Sequence, residues 1–197
     1  MVFVEQITQY LLLWLTVMSP NPVPVEVWSN PQYSPSVYVI PQSEFADIVC
    51  GCECTLSGMY LGGPDHRVVL GGDTTGWLPN EPLSNSIHLH ELEHYFQDLR
   101  YRVLSQPGVT REQGERDAYT IQNIYLTING YFPIDIDNMV SASANIAYGK
   151  VECLDGTVNT PPASDEVMNR LNTAVFKHEQ NRELWEFYQT RPRCWKP

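Results

Sequence analysis

His90-Glu91-Leu92-Glu93-His94 brings two imidazoles and a carboxylate into one short stretch. On a helix, positions 90 and 94 lie one turn apart on a single face. Two imidazole nitrogens placed that way can share one zinc ion (Zn2+), at about 2.0–2.1 Å each. Glu91, beside the first imidazole, reaches the water that such an ion activates. It can take that water's proton and later return it to a leaving amine. With 5 His in 197 residues, H-E-x-x-H is expected by chance only about 0.01 times. A catalytic zinc also needs a third protein ligand and an open position. Glu115, downstream in Arg111-Glu112-Gln113-Gly114-Glu115-Arg116-Asp117-Ala118-Tyr119, is the first candidate, with Glu112 and Asp117 as rivals. A carboxylate not used as ligand would suit the outer shell, holding an imidazole N–H.

These groups converge only if two helices carry them and a reversal joins the helices. Residues 82–102 give the strongest helical pattern in the chain, with Ser84 as a cap and Leu92, Tyr95 or Phe96, and Leu99 as its apolar stripe. A turn around 105–108 then leads to a second helix over 110–128, capped by Thr110 and ended at Gly130. Ala118, Ile121, Tyr125 and Ile128 form the stripe of that helix. Small Ala118, one turn after Glu115, lets the two backbones approach. Upstream, 58–61 and 67–70 read as a hairpin around Gly62-Gly63-Pro64-Asp65, 36–40 as a strand, and 23–28 as another despite Pro24. Residues 137–147 suggest a short helix, and 163–188 a last amphipathic one with a basic tail (Arg191, Arg193, Lys196). Helix, short strands, then helices define an α+β chain.

Composition narrows the function. A net charge of −11, with no Lys or Arg before Arg67, excludes nucleic acid as an expected partner. Residues 10–18 are apolar but too short to cross a membrane, which takes roughly 20 residues. Lacking a basic flank and a small-residue cleavage site, 1–18 read as a buried helix rather than a signal or a membrane-surface segment. The expected location is cytoplasmic, or secreted if 1–18 act as a degenerate signal. Cys50, Cys52 and Cys54 alternate, which in a strand points all three to one face. Buried reduced thiols are the first reading. Disulfides to Cys153 or Cys194 come next, and a thiolate cluster with one of these or His66 last. His88 reads as a solvated or supporting histidine, Glu93 as a surface charge and His66 as part of the hairpin turn.

H-E-L-E-H followed by E-R-D-A-Y resembles the gluzincins, zincin metallopeptidases whose metal is held by two His and one Glu. The hairpin with Gly58 and Tyr60, the H-E-x-x-H helix and the E-x-x-A helix are similar to small bacterial and phage-type minimal zincins. The resemblance covers about residues 36–130. It implies His90, His94 and Glu115 as zinc ligands, Glu91 as catalytic base, and the strand near 67–70 as the edge on which an extended peptide pairs. No third His follows at metzincin spacing. Tyr101, Tyr119, Tyr125 and His178 all remain open as the group that steadies the tetrahedral oxyanion. The expected organisation is an N-terminal helix and Pro-rich connector (1–35), a zincin-like core (36–150) with a small antiparallel or mixed sheet, and a C-terminal helical extension (151–197). The expected function is hydrolysis of a peptide or protein substrate by a zinc-activated water. The alternative is a non-catalytic, zinc-stabilised structural or assembly protein.

Overall fold

The computed structural model describes residues 2–73 and 82–190. Among these, the order is α1 (Val2–Met18), α2 (Val25–Trp28), β1 (Ser36–Pro41), α3 (Gln42–Cys50), β2 (Gly58–Leu61) and β3 (Arg67–Gly72). Then follow α4 (Pro82–Arg102), α5 (Arg111–Ile128), α6 (Ile136–Ala147), β4 (Val151–Glu152), β5 (Val158–Asn159) and α7 (Ser164–Thr190). The class is α+β, with a three-stranded mixed sheet and a separate two-stranded one.

The sheet order is β1-β3-β2. β2 and β3 form the expected antiparallel hairpin, with Met59 opposite Val69. β1 lies parallel to β3 on its other side, with Tyr38 opposite Val69. Parallel neighbours need a crossover, and α3 supplies part of it. The strand at 67–70 is therefore central and not the edge. β1 occupies the side that would otherwise have been free, and the edge nearest α4 is β2.

Central position explains the apolar run in β3. Val68 and Leu70 face a core built with Leu11, Leu12 and Leu15 of α1 and Leu92, Tyr95, Phe96 and Leu99 of α4. Val69, on the opposite face of the pleat, joins a second core with Phe45, Ile48 and Val49 of α3 and Leu171 of α7. A strand buried on both faces has no polar register. The first helix is thus part of the same core as α4. No helix among the described residues is long and apolar enough to cross a membrane.

Two local readings change. Residues 25–28 form a helical turn, not a strand: Pro24 stands at its N-cap, where its missing N–H costs nothing, and buried Trp28 donates to Thr16 Oγ1 at 3.0 Å. Ser84 does not cap α4, because the helix starts at Pro82 and Ser84 lies within its first turn. By contrast Thr110 caps α5, its side chain accepting from the Gln113 N–H at 3.2 Å. Gly130 follows that helix at φ +80°, the left-handed conformation a glycine adopts without strain.

The cysteines also differ from the reduced reading. Cys50 pairs with Cys54, and Cys52 with Cys153. They do not share a strand. Cys50 is the last residue of α3, Gly51 turns the chain at φ +69°, and residues 52–57 run on as loop. Cys194 and the basic tail lie outside the described residues.

Candidate metal centre

Side-chain bonds set α4 and α5 against each other in antiparallel register. Asn85 meets Tyr125, Ser86 meets Gln122, and Gln97 meets Gly114, so rising numbers on one helix match falling numbers on the other. Ala118 is fully buried in this contact. Ser105, at φ +53°, makes the reversal.

The register brings Glu115 to the two imidazoles. His90 Nε2 and His94 Nε2 lie 3.2 Å apart, and Glu115 Oε2 lies 3.5 Å and 3.8 Å from them. Three donors bonded tetrahedrally to one ion at 2.0–2.1 Å would be about 3.3–3.4 Å from each other. The protein's own spacing fits that requirement, and these three residues form a group that could hold a metal ion. Glu112 and Asp117 are elsewhere: the first pairs with Arg116 at 3.2 Å, and the second accepts from Gln113 at 2.7 Å.

Burial would raise the Glu115 carboxyl, but hydrogen bonds and charge from both imidazoles hold it well below the usual range. For His94, burial is outweighed by Glu115 and Glu91, so its imidazole rises to about 9. Both shifts express one fact: the site concentrates negative charge around nitrogens, which is what a cation needs.

Glu91 is buried beside this group. Burial pushes its carboxyl up, and so does Glu115, while the imidazoles and the Tyr60 N–H pull it down; the net direction is up. Its position depends on Gly58. A Cβ there would stand 2.8 Å from both Glu91 Cγ and Oε1. The start of the β2 edge is therefore moulded to this one side chain.

His90, Glu91, Glu115 and Tyr119 line a cavity of about 570 Å³. Residues 54–60, α6, residues 150–154 and Gly156 complete its lining. Of the four oxyanion candidates, Tyr119 lines it. Its ring lies 4.3 Å from that of His90, and its hydroxyl is 3.3 Å from Ser143 Oγ. Burial, with Glu115 and Glu91 behind it, pushes this phenol up to about 12. Tyr101 is exposed, Tyr125 meets Asn85, and His178 meets Glu44.

Three polar residues outside the group depart from expectation or escaped it. Glu93 is not a surface charge; it is buried and bonded to Arg100 at 2.8 Å, and Arg100 also reaches the Asn21 carbonyl of the connector. His88 is not solvated but fully buried, 3.4 Å from Thr8 of α1, and burial lowers it to about 3. Gln97, three residues past His94, bonds that imidazole at 3.0 Å and takes the outer-shell place anticipated for a carboxylate. Its i+3 spacing was the available signal. His66 does belong to the turn, at φ +41°, bonded to Tyr60.

The fold and site thus define an α+β chain carrying a two-His, one-Glu group able to hold a metal. Comparisons with family models, curated proteins and solved structures return no match for this chain.

Proposed function

We propose that the chain is a zinc-dependent metallopeptidase with His90, His94 and Glu115 as ligands and Glu91 as general base. The observation that carries this reading is the meeting of three donor atoms at ligand spacing, beside a buried carboxylate, on the wall of a large cavity. A bound zinc would supply Lewis-acid polarisation of a carbonyl and acidify water. Glu91 takes the proton of the attacking water and hands it to the departing amine. Its raised affinity for protons brings it closer to the neutral range in which a carboxylate can do both. Tyr119 is the donor we assign to the developing oxyanion, since of the four candidates it is the one that lines the same cavity. An extended substrate can add to β2, an edge strand whose residues 58–60 line the cavity.

A structural zinc would call for a fourth protein ligand. Among the described residues the group has three, which favours the catalytic reading over the structural one. Two disulfides further favour an oxidising compartment, in place of the cytoplasmic expectation.

The test is a zinc-loaded wild type and Glu91→Gln on a mixture of peptides, with products read by mass spectrometry. Both should hold about one zinc per chain, and the variant should lose roughly 10²–10⁴ in turnover. Failure of the wild type to take up zinc, or full activity in Glu91→Gln, would refute the proposal.

A further inference from the structure

We infer that Gln97 is the positioning residue that fixes His94 as an Nε2 ligand, and that position 114 is glycine because Gln97 must fit there. The inference rests on the metal reading above and extends it to residues that touch neither metal nor substrate.

The Gly114 carbonyl can only accept, and it lies 2.9 Å from Gln97 Nε2. That fixes the amide, so its oxygen is the end 3.0 Å from His94 Nδ1. An amide oxygen can only accept as well. His94 Nδ1 must therefore carry a hydrogen, so Nε2, the atom that faces His90 and Glu115, is the nitrogen whose lone pair a metal takes on displacing any proton there. The backbone of α5 thus specifies the tautomer of a ligand on α4. Because Gly114 directly precedes Glu115, the same contact ties the third ligand's register to the second's.

Space supports the same reading. A Cβ at position 114 would stand 2.9 Å from Gln97 Oε1 and 3.5 Å from its Cδ. The helix carries a glycine there although alanine is the better helix former. The other imidazole ligand is held differently. His90 Nδ1 is buried with no partner among the described residues, and its ring packs against Tyr119 instead. Among the described residues, His94 is the imidazole of the two whose Nδ1 is held by a hydrogen bond.

The experiment measures zinc affinity by competition with a chromophoric chelator, on the full chain, for wild type, Gln97→Ala, Gln97→Glu, Gly114→Ala and the Gln97→Ala/Gly114→Ala pair. Melting in excess chelator reports the fold separately. Gln97→Ala should weaken binding about 10–100-fold. Gln97→Glu should melt lower, since a carboxylate cannot donate to Gly114, yet should bind within about threefold of wild type because it still accepts from Nδ1. Gly114→Ala should weaken binding, and the pair should be no worse than about twofold beyond Gln97→Ala alone. Binding by Gln97→Ala within twofold of wild type overturns the inference and leaves the metal reading standing. So does a Gln97→Glu as weak as Gln97→Ala, or full additivity in the pair. A wild type that binds no zinc overturns both.

Discussion

The two sides of the cavity are held by different physics. On one side, α4 and α5 are long helices with apolar stripes, joined by Asn85–Tyr125, Ser86–Gln122 and Gln97–Gly114. On the other, residues 51–57 and the two-residue strands β4 and β5 have almost no apolar face of their own. Burial cannot order such short pieces. Cys52–Cys153 does so instead, helped by the Leu154 N–H on the Glu53 carbonyl and by Asn159 on the Cys50 carbonyl. The group that could hold a metal ion sits on the side that orders itself. The covalent side shapes the space in front of it.

The largest expected effect comes from breaking the long staple. Cys52–Cys153 spans a sequence separation of 101, which the chain-entropy argument converts to about 4–5 kcal/mol. Cys50–Cys54 spans 4 and converts to about 2 kcal/mol. Urea unfolding of the Cys52→Ser/Cys153→Ser and Cys50→Ser/Cys54→Ser pairs should rank in that order. If the proposed zinc site is right, zinc affinity is set on the helical side and should stay within a few-fold in both. Loss of zinc binding in a still-folded Cys52→Ser/Cys153→Ser protein would show that the two sides are not separable.

Gly58 is where the sides meet, because it starts β2 and abuts Glu91. On the proposed mechanism, Gly58→Ala should push the Glu91 carboxylate from its place and cut turnover about 10–100-fold while zinc affinity is kept. A variant that keeps full turnover would show that Glu91 can settle elsewhere and still act as base.

The helical side was legible in the sequence because its signals are local. Helix periodicity, the Thr110 cap and the four-residue spacing of His90 and His94 each depend on neighbours in the chain. Glu115 followed once two antiparallel helices were assumed, though Glu112 and Asp117 are as acidic. The covalent side was illegible because its signals are distant. Alternation of Cys50, Cys52 and Cys54 imitates a strand, yet Cys50 ends a helix whose buried face is Phe45, Ile48 and Val49. Gly51 was the mark of that helix end. Pairing with Cys153 has no local trace. The place of β3 in the middle of the sheet was hidden for the same reason, since strand order follows from the β1 crossover and not from β3 itself. Glu93 and His88 misled because their partners, Arg100 and Thr8, turn ordinary polar residues into buried ones.

The far end of β2 offers the finest test of the contrast, since there the strand is tied to α4 without any covalent link. The Tyr60 hydroxyl donates to Asp98 at 2.9 Å and lies 3.0 Å from His66 Nδ1. Burial lowers the His66 imidazole below its ordinary value, with Asp98 opposing and Arg102 assisting. A folded-state value below the unfolded one means that the unfolded chain binds the proton first as pH falls. The contribution of neutral His66 is therefore whole above about pH 6.5 and declines on acidification below it, by at most about 1.4 kcal/mol per pH unit. His66→Asn, which tolerates the positive φ, should flatten the stability curve between about pH 6.5 and 5 relative to wild type. Denaturant midpoints across that window read the difference. An unchanged slope would mean that His66 takes up its proton equally in the folded and unfolded chain, and a steeper one in the variant would mean that Asp98 keeps the imidazole charged in the folded protein as an ion pair that fastens this end of β2.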